Sequence, residues 1–212
     1  MLEHFTKEVI TYCENHTNRS NDVLDRIEAS TREHSNQINM LSGAYQGSLL
    51  RMLSRLVEPR RVLEVGTFTG YSAVCLAEGM TEDGKVISLE KDHNLKDLIE
   101  KHLSWTSLGK KIEVRYGDAK ELLPQLEDVF DLVFIDAAKR EYGLYYEESI
   151  KRLRSGGLMI IDNVLWRGKV VDAEPDKKTQ SIQKFNEMVA ADDRVEPFLM
   201  PIRDGVYLVQ KK

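Results

Sequence analysis

Acidic residues stand where several apolar runs of the sequence end. Asp136 closes the run FDLVFID, and Asp162 with Asn163 closes the run that begins GLMII. Because the carboxyl ends of parallel strands meet at one edge of a sheet, we expect these side chains to lie close together. They offer only oxygen ligands, which suit a hard divalent cation such as magnesium better than zinc or copper. An Asp-Asn pair in a loop is more often a turn or a helix cap, but its place after a buried strand favours a metal site.

A glycine-containing stretch, RVLEVGTFTGYS, is the second motif that could do chemistry. An apolar run reaches Glu64, a turn carries Gly66 and Gly70, and a helical pattern follows, which predicts a strand, a tight turn and a helix N-terminus. Glycines in such a turn let backbone N–H groups approach a ligand closely. Glu90 ends the next apolar run, at about the 20-residue distance from the turn at which an acid can hydrogen-bond a ribose.

The spacing of the two glycines indicates which kind of adenosine cofactor to expect. The nicotinamide dinucleotide fingerprint G-x-G-x-x-G places its glycines close together around a pyrophosphate. Here Thr-Phe-Thr separates Gly66 from Gly70, and no P-loop lysine follows. We therefore expect an adenosine-type cofactor other than NAD, and the alternative is a turn that serves packing alone.

Periodicity predicts the elements that position these residues. From residue 1 to about 58 the period is helical, with breaks near 18–20 and 42–43, and Ser20 or Asn21 can cap the second helix. After Pro59, five continuous apolar runs alternate with helical segments, which is typical of a parallel sheet covered on both faces. The runs are RVLEVG, KVISLE, IEVRYG, FDLVFID and GLMIID.

The last part of the chain differs, because FLMPI and VYLVQKK flank an Arg203-Asp204-Gly205 turn. Two short strands around Asp-Gly predict an antiparallel hairpin. We thus predict an α/β fold, a doubly wound, mostly parallel seven-stranded sheet that ends in this hairpin. A single domain, 1–212, would carry a helical cover in 1–58 and the cofactor-binding core in 59–212.

Composition excludes some functions. The 212 residues carry a net charge of −5, and the first 40 hold seven acids against four bases, so nothing predicts a general attraction to nucleic acid. Cys13 and Cys75 lie too far apart in the sequence to suggest a disulfide framework. No apolar stretch approaches the ~20 residues of a membrane span, and no signal peptide is visible. We expect a cytoplasmic protein without membrane contact.

Three stretches carry a resemblance to a known family. E-x-G-T-x-x-G-Y-S, from Glu64, resembles the first motif of S-adenosylmethionine-dependent O-methyltransferases. FIDAAKREY and IIDNVLWRGKVV are similar to the metal and catalytic motifs of the cation-dependent branch, which includes catechol and plant caffeoyl-CoA O-methyltransferases. The likeness runs from about Asn39 onward, and ADDRVEPFLMPIRDGVYLV is closer to the caffeoyl-CoA branch. The resemblance implies a Rossmann-like methyltransferase fold with S-adenosylmethionine and magnesium.

The resemblance also implies a role for individual residues. Asp136, Asp162 and Asn163 would bind the metal, and Lys139 would be the catalytic base beside Asp136. Glu64 would sit near the amino group of the methionine part of the cofactor, and Met40 would belong to a segment that closes over it. The implied cofactor pocket comprises Met40, Glu64, Gly66, Ser72, Glu90, Gly117, Asp118, Ala119 and Asp136.

The chemistry agrees with this assignment. An aryl hydroxyl has a pKa near ~10, judged by tyrosine, and is mostly protonated at neutral pH. A divalent cation held by two adjacent hydroxyls would favour the anion and fix its angle to the methyl group. Lys139 follows Asp136 by three residues, so both can border the site, and the alternative for Lys139 is a solvated surface lysine.

The sequence leaves the roles of other residues near these motifs open. Trp166 could stack on an aromatic acceptor or pack on the fold, and most of the tyrosines in REYGLYYEE are expected to pack. Arg140, Arg167 and Lys169 are either solvated or receive an anionic acceptor. The five histidines show no ligand spacing. Ala137-Ala138 stands where the catechol enzyme has bulky residues, which predicts a more open site.

Three functions remain open at this point. The first is magnesium-dependent methylation of a small phenolic acceptor, a catechol or a caffeoyl conjugate. The second keeps the fold, metal and cofactor but acts on 5-hydroxyuridine in tRNA, which the acidic N-terminal segment disfavours. The third is a non-catalytic cofactor-binding scaffold, which the intact Asp136, Lys139, Asp162 and Asn163 disfavour. In each case we expect a homodimer.

Overall fold

A computed structural model of the chain describes residues 6–18 and 21–212. Its centre is one seven-stranded sheet with the order β3-β2-β1-β4-β5-β7-β6. The strands are β1 (Arg61–Val65), β2 (Lys85–Glu90), β3 (Ile112–Tyr116), β4 (Phe130–Ile135), β5 (Leu153–Asp162), β6 (Val195–Met200) and β7 (Val206–Lys211).

The predicted sheet is confirmed. Strands β1 to β5 pair in parallel, and β7 pairs antiparallel with both β5 and β6. The order reverses between β1 and β4, so the connections leave a crevice at the carboxyl ends of these two central strands. Apolar runs located the strands because both faces of this sheet are covered.

Two strands differ from the apolar runs by more than one residue. Strand β5 begins at the buried Leu153, four residues before GLMIID, because the exposed Arg154, Ser155 and Gly156 interrupt the apolar pattern and the ladder with β4 shifts register after Phe130. Strand β6 covers Val195–Met200 and stops before Pro201, which has no N–H to donate to the ladder. The hairpin itself forms around residues 201–205, as predicted.

Helices cover both faces of the sheet. Asn21 caps α2, with its Oδ1 accepting from the N–H of Leu24 at 3.0 Å, whereas Ser20 lies outside the described residues. The predicted break at 42–43 is the start of α3. The helices are α1 (Lys7–Asn15), α2 (Asp22–His34), α3 (Gly43–Val57), α4 (Tyr71–Ala77), α5 (Lys96–Leu103), α6 (Ala119–Leu122), α7 (Tyr142–Arg152) and α8 (Lys177–Ala190).

Short 3₁₀ turns supplement these helices. They are Ile38–Met40, His93–Leu95, Ser107–Lys111, Leu123–Gln125, Lys139–Glu141 and Lys169–Val171. None of the helices in the described ranges combines the length and apolar composition that a membrane crossing requires.

Two apolar layers enclose the sheet. On one face α7 and α8 pack on Leu63 and Val65 of β1, and on the other α2, α3 and α4 pack on Val62 of the same strand. Alternation along β1 places Glu64 on the face of Val62, beneath α4. This acid is therefore buried in the N-terminal helical layer although it belongs to the strand that carries the glycine turn.

Candidate active site

A cavity of about 880 Å³ opens at the carboxyl ends of the parallel strands. Every predicted cofactor, metal and catalytic residue lines it except Glu64. We call one part the glycine-turn end, formed by Gly66, Ser72, Glu90 and Asp118, and the other the aspartate end, formed by Asp136, Lys139, Asp162 and Asn163. The remaining predicted residues on its wall are Met40, Gly117 and Ala119.

The turn after β1 depends on Gly66. Its φ is +104°, and a Cβ at this position would lie 2.0 Å from the carbonyl oxygen of Asp136. A side chain would therefore force β1 and β4 apart at the point where the two strands deliver their residues to the cavity. The turn closes with the N–H of Gly70 donating to the carbonyl of Thr67 at 2.9 Å, and α4 begins at Tyr71.

Glu90 is held by backbone groups at the end of β2. Its two carboxylate oxygens accept from the N–H of Phe68, in the glycine turn, and from that of Asp92, each at 2.7 Å. Burial raises the pKa of Glu90, and these backbone hydrogen bonds oppose the rise because they favour the ionised form. The result is a fixed acceptor on the cavity wall, as a ribose-binding acid requires.

Glu64 lies behind the cavity wall and is 0 % exposed. It accepts a hydrogen bond from the Ser88 hydroxyl, and Ser88 is in turn 2.5 Å from the Thr67 hydroxyl of the glycine turn. Burial raises the pKa of Glu64 to about 8, against the opposing effect of the Ser72 and Ser88 hydroxyls. No ion pair joins Glu64 to a cation within the described ranges, so a cationic ligand group nearby would stabilise its charged form.

Asp118 follows β3 and caps the short helix α6. Its Oδ1 accepts from the N–H of Lys120 at 3.0 Å, and its Oδ2 pairs with the Lys91 ammonium at 2.7 Å. The hydrogen bond from Lys91 is the main reason that the pKa of Asp118 is lowered. This acid therefore stays ionised at the glycine-turn end.

Two carboxylates meet at the aspartate end. Asp136 accepts from the Lys139 ammonium at 2.8 Å, while Asp162 accepts from the N–H of Asn163 at 2.7 Å and from the side-chain amide of Gln46 at 2.8 Å. Burial and the nearby Asp136 charge raise the pKa of Asp162 to about 6. A cation between the two carboxylates would relieve that repulsion.

The third predicted ligand, Asn163, has φ +58°, a left-handed conformation that asparagine tolerates better than most residues. Its side-chain amide makes no hydrogen bond to another residue that the structure describes, and the residue lines the cavity. Within 6–18 and 21–212, no three His, Cys, Asp or Glu side chains form a metal-binding group. The candidate donor set is instead two carboxylates and one amide, all oxygen donors that suit magnesium.

Other predicted neighbours are divided between the cavity and the surface. Trp166 packs against the core, as one of its two interpretations predicted, and it also lines the cavity, where Arg167 joins it. Its stacking on an aromatic acceptor stays a prediction. Arg140 is outside the lining and pairs with Glu141 at 3.2 Å, and Lys169 is also outside it. Ala137 and Ala138 border the cavity, so small side chains do stand at this wall.

The three tyrosines of α7 are buried, as expected of packing residues. The Tyr142 hydroxyl donates to the carbonyl of Asp162 at 3.0 Å, and the Tyr146 hydroxyl donates to Asp192 at 2.8 Å. Tyr145 also borders the cavity. Tyr142 thus fixes the backbone of the aspartate end from below.

Sequence reasoning missed His102, which is fully buried on α5. Its Nδ1 lies 2.9 Å from the Thr69 carbonyl of the glycine turn, and its Nε2 lies 2.9 Å from the Ser30 hydroxyl of α2. The carbonyl can only accept, so Nδ1 carries the proton, and burial lowers the pKa of His102. The ring links the turn to the helical cover; a search for ligand spacing could not find it, and His4 lies outside the described residues.

Two further residues were missed at the aspartate end. Gln46 belongs to α3. Arg203 belongs to the hairpin turn, and its guanidinium donates to the side-chain amide oxygen of Gln46 at 3.1 Å. Neither lies near Asp162 in the sequence, so no local sequence pattern predicts that they join the aspartate end. The turn prediction placed Arg203 in a loop but gave no reason to bring it to the cavity.

Comparisons with known proteins agree with this geometry. The O-methyltransferase family model matches residues 14–212. Probable caffeoyl-CoA O-methyltransferase 1 of Dictyostelium discoideum is 30% identical over 98% of this chain and 93% of that protein. Catechol O-methyltransferase domain-containing protein 1 of Mus musculus is 33% identical over 91% of this chain and 76% of its own length.

A solved structure extends the comparison to the cofactor. The O-methyltransferase TomG from Streptomyces achromogenes, in complex with S-adenosylmethionine, has a TM-score of 0.87 and 29% identity, covering 97% of this chain and 96% of that one. The sheet order and the glycine turn beside acidic strand ends thus define a Rossmann-like methyltransferase. The chain belongs to the O-methyltransferase family of the caffeoyl-CoA and catechol type, and it is an S-adenosylmethionine-dependent enzyme.

Proposed function

We propose that this enzyme transfers the methyl group of S-adenosylmethionine to one hydroxyl of a vicinal diphenol, a catechol or a caffeoyl conjugate, with the help of magnesium. The observation that carries the proposal is the aspartate end, where the Lys139 amine, two carboxylates and an amide border the same cavity as Glu90. Two adjacent hydroxyls suit this end because they offer a hard cation two further oxygen donors.

The glycine-turn end is proposed to hold the donor. Glu90 and Asp118 are ionised or ionisable acceptors on the cavity wall, which suits the hydroxyl and amine hydrogens of an adenosine. Glu64 lies behind Ser72 and the turn, where a nearby ammonium group would favour its charged form. Met40, Gly66, Gly117 and Ala119 would shape the remaining wall.

Asp136, Asp162 and Asn163 are proposed to hold the cation. Their donor set fits because it is all oxygen, because the Asn163 amide makes no hydrogen bond among the described residues, and because the two carboxylates repel each other. A cation held there would supply positive charge that favours loss of the acceptor proton.

Lys139 is proposed as the base. Its Nζ is 2.8 Å from Asp136, so the side chain is held at the aspartate end instead of extending into solvent. In its neutral form the amine would take the proton of the attacking hydroxyl. The oxygen then bonds to the methyl carbon in line with the sulfur as the carbon–sulfur bond breaks, which leaves S-adenosylhomocysteine. The rest of the rate enhancement would come from holding the acceptor oxygen in line with the bond between the methyl carbon and the sulfur.

Methyl transfer from labelled S-adenosylmethionine to simple catechols, caffeoyl-CoA and bulk tRNA, each with magnesium or with excess chelator, tests the proposal. We expect rapid magnesium-dependent transfer to a vicinal diphenol, and Asp162→Ala should remove most of it while the protein stays folded. Full activity in chelator would reject the metal role.

The same panel separates the alternatives. Fast methylation of tRNA carrying 5-hydroxyuridine would identify RNA, and not a phenol, as the acceptor. Its rate should then fall steeply as salt rises, because phosphate contacts release counterions. Cofactor binding without transfer to any acceptor would favour a scaffold. A homodimer stays a prediction, and sedimentation of the purified protein measures it.

A further inference from the structure

Both oxygens of the Asp162 carboxylate are held by N–H groups. Oδ1 accepts from the backbone of Asn163, and Oδ2 accepts from the side-chain amide of Gln46. Asp162 is only 4 % exposed and Gln46 only 1 %, and Gln46 is not on the cavity wall. The glutamine therefore contacts the carboxylate from behind, and the remaining lone pairs of Asp162 are the ones available to a ligand.

Arg203 fixes which way the Gln46 amide points. A guanidinium can only donate, so the amide oxygen must face Arg203, whose Nη1 is 3.1 Å away, and the NH₂ group must face Asp162. Arg203 also donates to the carbonyl of Leu41 at 3.5 Å, next to Met40 in the segment predicted to close over the cofactor. The three side chains thus form a directed relay from the hairpin turn through α3 to β5.

The relay fixes the orientation of the Asp162 carboxylate. With one oxygen free, the buried carboxylate could rotate, and the Gln46 hydrogen bond to its Oδ2 at 2.8 Å removes that freedom. Ligands of a metal are commonly fixed in this way by a partner that does not touch the metal.

We propose that Gln46 is a positioning residue that fixes the Asp162 carboxylate, with Arg203 setting the direction of its amide, and that this relay sets the affinity of the aspartate end for a divalent cation. The inference rests on the proposed function, in which Asp162 is a ligand of that cation. If Gln46 served folding alone, its replacement would lower the free energy of unfolding but would not weaken cation binding more than cofactor binding.

The test measures Mn²⁺ binding by electron paramagnetic resonance, with Mn²⁺ as a stand-in for magnesium, and S-adenosylmethionine binding by calorimetry. Gln46→Leu keeps a similar side-chain volume but removes the side-chain N–H donor. Loss of such a partner typically weakens metal binding by about 10- to 100-fold. We expect a loss of that size for Mn²⁺, while cofactor affinity changes by less than about twofold because Gln46 does not line the cavity.

Gln210→Leu is the matched control, since it makes the same change at an exposed residue of β7 whose side-chain amide donates to the Gly156 carbonyl at 3.4 Å. Arg203→Met provides a second variant if Gln46→Leu does not fold, because it frees the Gln46 amide to turn. Its Mn²⁺ affinity should fall by roughly threefold to tenfold, less than a full loss of the donor.

The outcomes distinguish the two proposals. Wild-type affinity for Mn²⁺ in Gln46→Leu, or in Arg203→Met where the first variant is unfolded, overturns the relay and leaves the cation site intact. Equal losses of Mn²⁺ and cofactor affinity also overturn it, since they indicate general loosening. A wild-type protein that binds no Mn²⁺ overturns the cation site itself, and the relay with it.

Discussion

The two ends of the cavity fix their acids through different parts of the chain. At the glycine-turn end, Glu90 accepts from backbone N–H groups 2 and 22 residues away in the sequence. At the aspartate end, Asp162 accepts from the N–H of the adjacent Asn163, but its second oxygen depends on Gln46, 116 residues away, which depends in turn on Arg203, 157 residues from Gln46. Neighbouring loops of the chain build the first end, whereas the second adds side chains from distant elements.

This difference predicts which substitutions should affect which end of the cavity. Changes at Glu90 or in the glycine turn should alter donor binding alone, whereas changes at Lys139, Gln46 or Arg203 should alter events at the acceptor. Two substitutions test this separation, each with a control that carries the same chemical change elsewhere, and a third tests the buried acid behind the cavity wall.

Lys139→Met should have the largest effect. It removes the proposed base from the aspartate end, and general-base catalysis typically contributes about 10²- to 10⁴-fold. We expect kcat to fall by that factor while the Kd for S-adenosylmethionine stays within about twofold, as measured by steady-state kinetics and calorimetry. An acceptor that is already ionised at the assay pH should lose less.

The control for Lys139→Met is Lys151→Met, in the last turn of α7, where the lysine pairs with Glu148. Its kcat should equal that of the wild type. An unchanged kcat in Lys139→Met, or an equal loss for ionised and protonated acceptors, would take the role of base away from Lys139.

Glu90→Gln should have an intermediate effect, confined to the glycine-turn end. Hydrogen bonds to a charged group contribute about 1.5–3 kcal/mol, which corresponds to roughly 10- to 150-fold in affinity. We expect the cofactor Kd to rise within that range, with kcat at saturating cofactor changed by less than about threefold. Calorimetry and saturation kinetics give the two values.

Glu113→Gln, on the neighbouring strand β3, removes the same charge from an acid paired with Lys85 and Arg115. It should leave the cofactor Kd unchanged. If Glu90→Gln lowers kcat with no change in Kd, the separation of the two ends is wrong.

Glu64→Gln should show its effect in the pH dependence of stability. Burial raises the pKa of Glu64 to about 8 in the folded protein, from 4.5 as its ordinary value. Between these values the folded protein keeps a proton that the unfolded chain has released, so the free energy of unfolding falls as pH rises. The slope from this one group is at most about 1.4 kcal/mol per pH unit.

Urea unfolding of the cofactor-free protein across this pH range measures the effect. The wild type should lose more stability with rising pH than Glu64→Gln, and groups that titrate alike in both proteins cancel in the difference. Parallel curves for the two proteins would mean that Glu64 is already ionised in the fold. Bound S-adenosylmethionine should shrink the difference, if its ammonium group stabilises the charged form.

The contrast between the ends also explains what the sequence could predict. Gly66, Glu90 and Asp162 stand at the ends of apolar runs, so strand periodicity was enough to bring them to one edge of the sheet. Glu64 was likewise predicted from the end of an apolar run to belong to the cofactor pocket, but periodicity could not show that this acid lies behind the cavity wall and not on it. The strands and the hairpin followed from patterns of the same local kind.

The residues that were missed lack any such pattern. Gln46 is an ordinary helical glutamine, Arg203 an ordinary turn residue and His102 an ordinary residue of α5 until the fold brings each to its partner. Their roles arise from contacts across packed layers, which depend on the exact distance between elements. Short-range periodicity carries no information about that distance.

The Arg203–Gln46–Asp162 relay has a consequence for local unfolding. The glycine turn, Glu90 and Asp118 lie within one continuous stretch, whereas the relay exists only while the hairpin is docked beside β5. Closing contacts across such long chain separations costs conformational entropy. We therefore expect release of the hairpin to remove the support of Asp162 while the hydrogen bonds that hold Glu90 remain.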